Sequence, residues 1–538
     1  MEEVCNSSSV ECHSHYGNSH FLSTSALSLA IVVLTVGVYL AKKAAPKTGR
    51  RRKLPPQAPH LPIIGSIPFL DKKRPHITLT EWRQQHGDIY TMKVLLEPVV
   101  VINSAELIRE ALNSEAFAGR PYIYRINYGF HGASDVIFGT YTPKWQYMKK
   151  IAAKGLRQFG AGCSDIETVV QEEMNALVNA FQGQKGQSFD PRITLMTAVV
   201  NAVTAAMSGK RYDHNDPRME QYKQTTRLFS ESCSCVEGME LDLFPWLRHI
   251  PGANAPFKKL TIARGMLDQL VDIELEEARS NYDTENVKCI LDVLFKAQED
   301  GENSNEKFTL TDEDIRSIFI DILVSGTFTT SIALSCFVLF VSTHRNLQRE
   351  LRAEVDRHIG RRRMPTSGDR QRMHKMEATV LEIMRYISHV PLNLPHYTTD
   401  DVEIGGYHIP EGTQVLLNLW SLHHDRRYWD SPWSFNPKRF IGLDAKLLPS
   451  HDEKRRCLMP FGAGKRMCLG ESLARERLFL FATVLIQKFD FQPGGDTNLQ
   501  SCDPRDFDLG LILEPKPFQV KVTSRNLMRQ MSSMEFSS

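Results

Sequence analysis

The sequence predicts a mainly α-helical protein with a smaller β-rich subdomain, preceded by a single N-terminal transmembrane helix. Three observations predict this architecture. An uncharged apolar stretch occupies residues 21–41 and is followed by a basic run, as in a membrane anchor. Residues 143–385 show the periodicity of amphipathic helices. Short apolar runs separated by turn residues fill residues 66–115 and 395–420, which is typical of strands.

The uncharged stretch, FLSTSALSLAIVVLTVGVYLA, is long enough to cross a bilayer. As a helix it would span about 31 Å, close to the thickness of a hydrocarbon core of about 30 Å. The segment before it is acidic and polar, whereas KKAAPKTGRRRK at residues 42–53 carries seven bases and no acid. A cleaved signal peptide would need its bases before the apolar run. We therefore expect a lumenal tail over residues 1–20, an anchor over residues 21–41 and a cytoplasmic body.

The rest of the chain divides into a linker, one large body and a tail. The basic run and the proline-rich segment LPPQAPHLPIIG predict a stiff linker over residues 42–65. One large domain would follow over residues 66–523, and a polar tail over residues 524–538. Lys+Arg (65) and Asp+Glu (63) nearly balance, so the composition does not suggest a nucleic-acid partner. The ten cysteines are irregularly spaced, which argues against a disulfide framework in a cytoplasmic body.

Two further segments predict a central helix and a closing hairpin. DEDIRSIFIDILVSGTFTTSIALSCFVLFVSTH, residues 312–344, is apolar nearly all round, so it predicts a helix at the centre of a large helical body. Residues 504–523 resemble a closing hairpin.

Chemistry is indicated most strongly by PFGAGKRMCLGESLARERLFLF, which begins at Pro460. Its cysteine, Cys468, lies in a glycine-rich loop just ahead of a helix that we expect to begin near Glu471. Backbone N–H groups at the helix start and the cation of Arg466 would favour a thiolate there. Glycines let the loop approach something flat and bulky. A thiolate held in this way suits ligation of haem iron.

The loop resembles the haem-binding loop FxxGxRxCxG of the cytochrome P450 family, the haem-thiolate monooxygenases. The residues that match are Phe461, Gly464, Arg466, Cys468 and Gly470. The resemblance extends from about Pro55 to Val522, and FAGRP (Phe117–Pro121) is most similar to the microsomal animal branch. That branch contains the steroid 17-alpha-hydroxylases and the dioxin-inducible aryl hydrocarbon hydroxylases. The resemblance implies the cytochrome P450 fold and haem b bound through Cys468.

Two other motifs resemble landmarks of this family. LEIMRY places Glu382 and Arg385 on one face of a helix, and FNPKRF contains Arg439. The resemblance implies that these three form a buried charged triad that braces the haem-loop side of the fold, because pairing makes burial of such charges tolerable.

Further residues would hold the haem propionates. WQYMK, with Trp145 and Lys149, is similar to the WxxxR helix of the family, although lysine replaces arginine and loses its planar fork. His396 in LPHY and Arg466 match positions where the family contacts propionates.

The chain departs from the family in the central helix. Where the family has (A/G)Gx(D/E)T(T/S), this chain reads SGTFTT from Ser325, so Thr329 is kept and Phe328 stands in place of the acid. Thr329 would be the catalytic alcohol that activates oxygen. Because Phe328 cannot titrate, protons must come through water, Ser325 or another acid. Asp321 lies about 12 Å up the helix axis.

Phe328 leaves several interpretations open. It packs in the core of an ordinary monooxygenase, or a substrate hydroxyl or bound water replaces the acid. Alternatively, the protein is a haem-thiolate isomerase or dehydratase of hydroperoxides, or a haem-binding protein without turnover. The retained Thr329 and the intact cysteine loop favour catalysis.

The resemblance implies an NADPH-dependent monooxygenase of the endoplasmic reticulum membrane, single-pass, with its catalytic domain in the cytoplasm. It would insert one oxygen atom from O2 into an apolar, steroid-like or polycyclic substrate. NADPH–cytochrome P450 reductase, which carries FAD and FMN, would supply electrons at the basic face around Lys465 and Arg466, and cytochrome b5 is a second candidate partner. The family's substrate-contact regions map to aromatic and aliphatic residues: Tyr122, Tyr124, Phe130, Phe229, Phe319, Val390 and Leu511.

Overall fold

The computed structural model describes residues 52–130, 132, 135–159, 164–303, 307–495 and 501–525. The chain separates into a unit of residues 1–53 and a larger unit from Leu54 onward, and the described helices and strands belong to the larger one. The predicted lumenal tail, the predicted anchor and residues 526–538 of the predicted polar tail lie outside the described residues.

Helices make up most of the described chain. In chain order they are α1 Pro75–His86, α2 Ala105–Asn113, α3 Tyr124–Gly129, α4 Pro143–Phe159, α5 Ser164–Gln182, α6 Arg192–Ser208, α7 Pro217–Ser232, α8 Glu240–Leu243, α9 Ala255–Ser280, α10 Ile290–Asn303, α11 Asp312–Thr343, α12 Arg345–His358, α13 His374–Ile387, α14 Leu419–His423, α15 Glu453–Cys457 and α16 Glu471–Lys488. The strands are β1 Ile89–Val94, β2 Glu97–Ile102, β3 Ser188–Phe189, β4 His396–Tyr397, β5 Val402–Ile404, β6 Tyr407–Ile409, β7 Gln414–Leu417, β8 Phe489–Pro493, β9 Asp508–Leu509, β10 Leu513–Glu514 and β11 Val520–Ser524.

The helix α11 forms the centre of the body, as its sequence predicts. It begins with a capping box between Thr311 and Asp314, which satisfies backbone N–H groups at the helix start. Among the described residues it is the one helix long and apolar enough to cross a membrane, but 72% of its apolar window is buried. It packs against α6, α13, α16 and β8, so its apolar surface belongs to the core.

Small sheets surround the helices. The largest has the order β1-β2-β7-β4, with β2 and β7 parallel and the other pairs antiparallel. The strands expected over residues 395–420 are thus present as β4 to β7. The region of residues 66–115 is less strand-rich than expected, because α1 and α2 flank the hairpin of β1 and β2.

Two other predictions need correction. The expected closing hairpin is confined to β9 and β10, and the last strand, β11, instead pairs with β8 and β3. The proline-rich part of the expected linker packs along β1: the Ala58 N–H donates to the Thr91 carbonyl at 2.8 Å, and the Thr91 N–H donates to the Pro56 carbonyl at 2.7 Å. Proline lacks an N–H but still accepts through its carbonyl, so the segment can border a strand.

Candidate functional site

The cysteine loop is fixed by backbone contacts that only glycine allows. The Cys468 N–H donates to the Phe461 carbonyl at 3.0 Å, and α16 begins at Glu471, where the sequence predicts it. Gly464 has a φ of +61°, and a Cβ there would lie 2.0 Å from the Leu112 carbonyl oxygen at the end of α2. A side chain at position 464 would therefore push the loop off α2.

The side chain of Cys468 is exposed although protein surrounds it on most sides. Burial raises the pKa of the thiol, and the N–H groups of Gly470 and Glu471 and the charge of Lys149 offset this only in part. The surroundings alone therefore do not favour the thiolate, contrary to the sequence-based expectation. A bound metal cation would add the missing positive charge, since coordination deprotonates a thiol.

Arg466 is turned inward beside this cysteine. Its guanidinium donates to the carbonyls of Ala118 and Gly139, both at 2.7 Å, and lies 3.9 Å from the centre of the Trp145 ring. Burial lowers the pKa of Arg466 to about 10, and the charge of Asp135 offsets this in part. Arg466 is thus an interior cation and does not belong to an outer docking face.

Arg120 is a second interior cation, which the sequence reasoning missed. It donates to the carbonyls of Pro395 at 2.8 Å, and of Leu394 and Ile137 at 3.1 Å. Burial and the charge of Arg466 lower its pKa. The available signal was the motif FAGRP, in which a base stands between glycine and proline, but only the fold brings Arg120 next to Arg466.

Lys149 and Trp145 lie beside these arginines on α4. The Lys149 ammonium donates to the Lys465 carbonyl, and burial and the charge of Arg466 lower its pKa to about 8. The Trp145 indole N–H donates to the Val136 carbonyl at 3.1 Å, so it is already engaged by backbone. Lys149 therefore secures the cysteine loop, and Trp145 provides a ring on which Arg466 stacks.

His396 completes the group from strand β4. It is 1% exposed, and its Nδ1 lies 2.7 Å from the Phe117 carbonyl, which can only accept, so Nδ1 carries the proton. Its Nε2 is buried without a hydrogen-bond partner among the described residues. Burial lowers the pKa of His396 well below its usual range, so in this state the ring is neutral.

This group of residues fits haem. Arg120, Lys149 and Arg466 are cations with lowered pKa values, and the acid that acts on the two arginines is Asp135. Partly buried cations that are held mainly by backbone carbonyls favour an anion close by. The two carboxylates of haem would provide the missing negative charge, and a proton on His396 Nε2 would let that ring donate to one of them. The Cys468 sulfur would be the ligand of the haem iron.

The middle of α11 presents an accessible stripe. Ile322, Ser325 and Thr329 recur at helical spacing and remain partly or fully accessible within an otherwise buried helix. The Thr329 hydroxyl donates to the Ser325 carbonyl at 2.7 Å. Phe328 is 7% exposed and packs in the main core. The structure thus agrees with the interpretation that Phe328 points into the core, away from this stripe.

A short loop connects α11 with the cation cluster. The Val136 N–H donates to the Asp321 carboxylate at 2.7 Å, while the Val136 carbonyl accepts the Trp145 indole N–H. The adjacent Ile137 carbonyl accepts from Arg120. One loop therefore holds the central helix and the cations in a fixed relation.

The structure also brings Glu382, Arg385 and Arg439 together. Arg385 donates to both carboxylate oxygens of Glu382, at 2.8 and 2.9 Å, and Arg439 Nε donates to the same carboxylate at 3.0 Å. The Asn436 N–H adds a further bond at 2.8 Å. All three charged side chains are buried.

The residues expected to line the substrate space are divided. Phe130, Phe229 and Phe319 are buried in the main core, and Tyr122 is 74% exposed. Tyr124 is buried, and its hydroxyl accepts from Arg248 at 2.8 Å. Val390 and Leu511 remain partly accessible at the edge of that core. Four of these seven residues are thus buried, whereas Tyr122, Val390 and Leu511 are at least partly accessible.

Three cations that share one nearby acid, Asp135, and lie beside an exposed cysteine are what a haem-thiolate protein presents for its haem. A sequence model of the cytochrome P450 family matches residues 55–522. The chain therefore belongs to the cytochrome P450 family, whose members are haem-thiolate proteins, and it is a haem monooxygenase, an oxidoreductase that incorporates molecular oxygen.

Curated relatives agree with this family. A steroid 17-alpha-hydroxylase/17,20 lyase of Squalus acanthias is 31% identical over 93% of this chain and 98% of its own length. Cytochrome P450 2D28 of Mesocricetus auratus is 32% identical over 88% of this chain and 93% of its own length. Cytochrome P450 1A1 of Canis lupus familiaris is 31% identical, over 87% and 90%. These relatives have similar identities to the chain although their names differ.

Proposed function

We propose that this protein is a microsomal, NADPH-dependent monooxygenase that inserts one oxygen atom from O2 into an apolar, steroid-like or polycyclic substrate. The observation that carries the proposal is the accessible Cys468 beside three partly buried cations, Arg120, Lys149 and Arg466, with Asp135 as the one acid that acts on the arginines. The similarity to a steroid 17-alpha-hydroxylase/17,20 lyase and to cytochrome P450 1A1 supports the substrate class.

Residues of the cysteine loop and the neighbouring cations would bind the haem. Cys468 would bind the haem iron, and bound haem would supply the centre at which oxygen is reduced. Arg120, Arg466 and His396 would hold its carboxylates, while Lys149 keeps the cysteine loop against α4. Phe461, Gly464 and Gly470 would shape the loop so that the ring can lie close to backbone.

On α11, Thr329 would be the catalytic alcohol. Its hydroxyl lies on the accessible stripe of α11 and donates to the Ser325 carbonyl at 2.7 Å. Rotation of that hydroxyl would free its proton for a hydrogen bond into the oxygen-binding space, while its oxygen accepts from water.

The triad of Glu382, Arg385 and Arg439 would brace the segment between α13 and the cysteine loop. Besides Glu382, the Arg385 guanidinium reaches the His423 carbonyl at 2.7 Å, and the Met459 N–H donates to the ring of His423 at 3.1 Å. This route runs from the triad to Met459, just before the cysteine loop, and it supports a structural role rather than a chemical one.

Electrons would come from NADPH through the FAD and FMN of NADPH–cytochrome P450 reductase, with cytochrome b5 as a second candidate donor. Helix α4, which carries Lys149, also presents Lys150, Lys154 and Arg157 on one exposed face. A basic stripe at this spacing suits an acidic partner surface. The predicted anchor over residues 21–41 would place the protein in the endoplasmic reticulum membrane, with this domain in the cytoplasm.

The proposal is tested by reconstitution with reductase, NADPH and a panel of steroids and polycyclic aromatics. We expect a product one oxygen atom heavier by mass spectrometry, with NADPH consumption that falls as salt rises. A Lys150→Glu/Lys154→Glu variant should lose this consumption but still be reduced by dithionite. Absence of any oxygenated product, together with rearrangement of lipid hydroperoxides without NADPH, would overturn the proposal.

A further inference from the structure

The starting observation is a second hydroxyl beside Thr329. Ser325 lies one helical turn before Thr329 on α11, and its side chain is exposed although the helix around it is buried. Other hydroxyls of the same helix, those of Ser331 and Ser335, are buried at 6% and 3% exposure. Ser325 is therefore set apart by its access to the space that Thr329 also faces.

The two hydroxyls are linked through the backbone of the helix. The Thr329 hydroxyl donates to the Ser325 carbonyl at 2.7 Å, and the Ser325 hydroxyl donates to the Asp321 carbonyl at 2.6 Å. Each O–H thus donates to a carbonyl one turn earlier, while the lone pairs of the hydroxyl oxygen can still accept a hydrogen bond from the accessible side. Rotation about the Cβ–Oγ bond exchanges these roles.

Two acidic side chains, Asp321 and Asp135, lie at the N-terminal end of this series of hydrogen bonds. One oxygen of Asp321, Oδ2, accepts the N–H groups of Val136 at 2.7 Å and Ile137 at 3.3 Å, and the other, Oδ1, is buried with no partner among the described residues. Asp135, in the same loop, accepts N–H groups from Phe138 and Gly139. The two carboxyls are 4% and 2% exposed.

This pair retains a proton. Burial and the nearby charge of Asp135 raise the pKa of Asp321 well above its usual range, and burial raises that of Asp135 to about 6. Arg466 lowers the pKa of Asp135 in part. Two adjacent buried carboxyls cannot both ionise at low cost, so one proton is shared or held. The unpartnered Asp321 Oδ1 is the place where that proton would reside.

We propose that Ser325 is a second catalytic hydroxyl, which passes protons from the Asp321–Asp135 pair toward the oxygen-binding side of the haem. Ser325 would thereby replace, in proton transfer, the acid that the family has at the position of Phe328. This inference rests on the proposed function. Ser325 Oγ accepts one proton, through water from the acid pair, and releases its own, so it is unchanged after each transfer. Per turnover, two electrons come from the reductase and two protons pass through the acid pair, which regains each proton from solvent. Together with one O2 they convert the substrate R–H into R–OH and one water.

The position of Phe328 explains why a substitute is needed on this face. Phe328 packs in the main core, and its side chain leaves the helix about 100° around the axis from that of Thr329. Asp321 itself is too deeply buried to face the open space, since it is 4% exposed. Ser325 is the group between them that is both polar and accessible, so it can connect a buried proton store to the site.

The test compares Ser325→Ala with Ser331→Ala. Both remove a serine hydroxyl that donates to a carbonyl one turn earlier, at 2.6 and 2.7 Å, but only Ser325 is exposed to the site. We expect a several-fold rise in the share of NADPH electrons recovered as hydrogen peroxide for Ser325→Ala, and no rise for Ser331→Ala. Ser325→Thr, which keeps a hydroxyl, should restore the wild-type share.

A second readout needs neither reductase nor substrate. After reduction with dithionite and addition of carbon monoxide, the infrared C–O stretch reports hydroxyls close to the bound gas. We expect a shift to higher wavenumber in Ser325→Ala and none in Ser331→Ala. No shift, or the same change in both variants, would overturn the inference.

Failure of the inference can be told apart from failure of the proposed function. If the wild type makes oxygenated product and Ser325→Ala leaks no more peroxide, the relay through Ser325 is wrong while the monooxygenase stands. If the wild type consumes no NADPH and makes no product, the proposed function is wrong and the relay falls with it.

Discussion

Arg385 and Glu382 form a fully buried ion pair in which two guanidinium nitrogens meet two carboxylate oxygens, at 2.8 and 2.9 Å. Such fork-to-fork pairing satisfies charges that would otherwise be costly to bury. The pair stands one turn apart on α13 and shares its carboxylate with Arg439 from a distant segment. The carboxylate is therefore the common point of the triad.

We predict that Glu382→Ala destabilises the protein by about 3 to 5 kcal/mol, because it leaves two arginines buried without their anion. The free energy of unfolding from urea titration measures this loss. Glu220→Ala is the matched control: Glu220 is 72% exposed and pairs with Lys223 on a helix surface, so the loss should stay below about 1 kcal/mol. Equal losses in the two variants would show that the triad has no special structural role.

Two glycines of the cysteine loop predict opposite outcomes for the same change. In Gly464→Ala the new Cβ would lie 2.0 Å from the Leu112 carbonyl oxygen, whereas at Gly462, with a similar φ of +68°, it would meet nothing within 4 Å. We expect Gly462→Ala to cost about 1 to 2 kcal/mol and to keep its haem. Gly464→Ala should lose the thiolate signature in the absorption spectrum of the reduced, CO-bound protein. Retention of that signature in Gly464→Ala would contradict the proposed contact.

The sequence predicts best those features that depend on neighbouring residues in the chain. The loop around Cys468, the start of α16 at Glu471 and the central helix α11 all follow from local patterns of glycine, charge and apolar spacing. The periodicity of apolar residues also predicts a mainly helical body with smaller sheets, which the structure confirms.

Features that depend on distant partners were not predictable in this way. Arg120 and Asp135 gain their meaning from Arg466, more than 300 residues later. The proline-rich segment near Ala58 reads as a linker because proline is poor in helices, and nothing local reveals that Thr91 accepts and donates across it. The pKa of Cys468 was mispredicted for the same reason. The helix start and the nearby cations, which lower it, can be read from the sequence, whereas burial, the larger effect, raises it and depends on the whole fold.

A buried histidine predicts a pH dependence of stability. His76 on α1 packs against Trp420, with ring centres 4.6 Å apart, and both ring nitrogens are buried without partners among the described residues. Burial lowers its pKa from 6.5 to about 4. Below pH 6.5 the unfolded chain therefore binds a proton that the folded protein refuses, and stability falls as pH drops to about 4. The total loss is about 3 kcal/mol.

His76→Phe should remove this dependence. Relative to the wild type, we expect the variant to gain about 1.4 kcal/mol for each pH unit between 6.5 and about 4, because other titrating groups cancel in the difference. Urea titrations at several pH values measure it. His451→Phe makes the same substitution at an exposed histidine and is measured alongside as the control. A constant difference for His76→Phe would mean that the ring titrates normally in the fold.

The position of Phe328 predicts that restoring the family's acid will not restore its chemistry. Phe328 is 7% exposed in the main apolar core, so Phe328→Asp would place a carboxylate where no partner is built for it. We expect a loss of at least about 4 kcal/mol in the free energy of unfolding, from lost packing together with burial of a polar group.

Phe328→Leu, which keeps the site apolar, separates packing from charge and should cost only about 1 kcal/mol. Both variants are compared by urea titration and by the share of electrons recovered as peroxide. The share of electrons recovered as peroxide should stay at the wild-type level in both variants, because the proposed proton route runs through the accessible stripe of α11 rather than through position 328. A Phe328→Asp protein that folds as stably as the wild type and leaks less peroxide would mean that this helix can turn residue 328 toward the site.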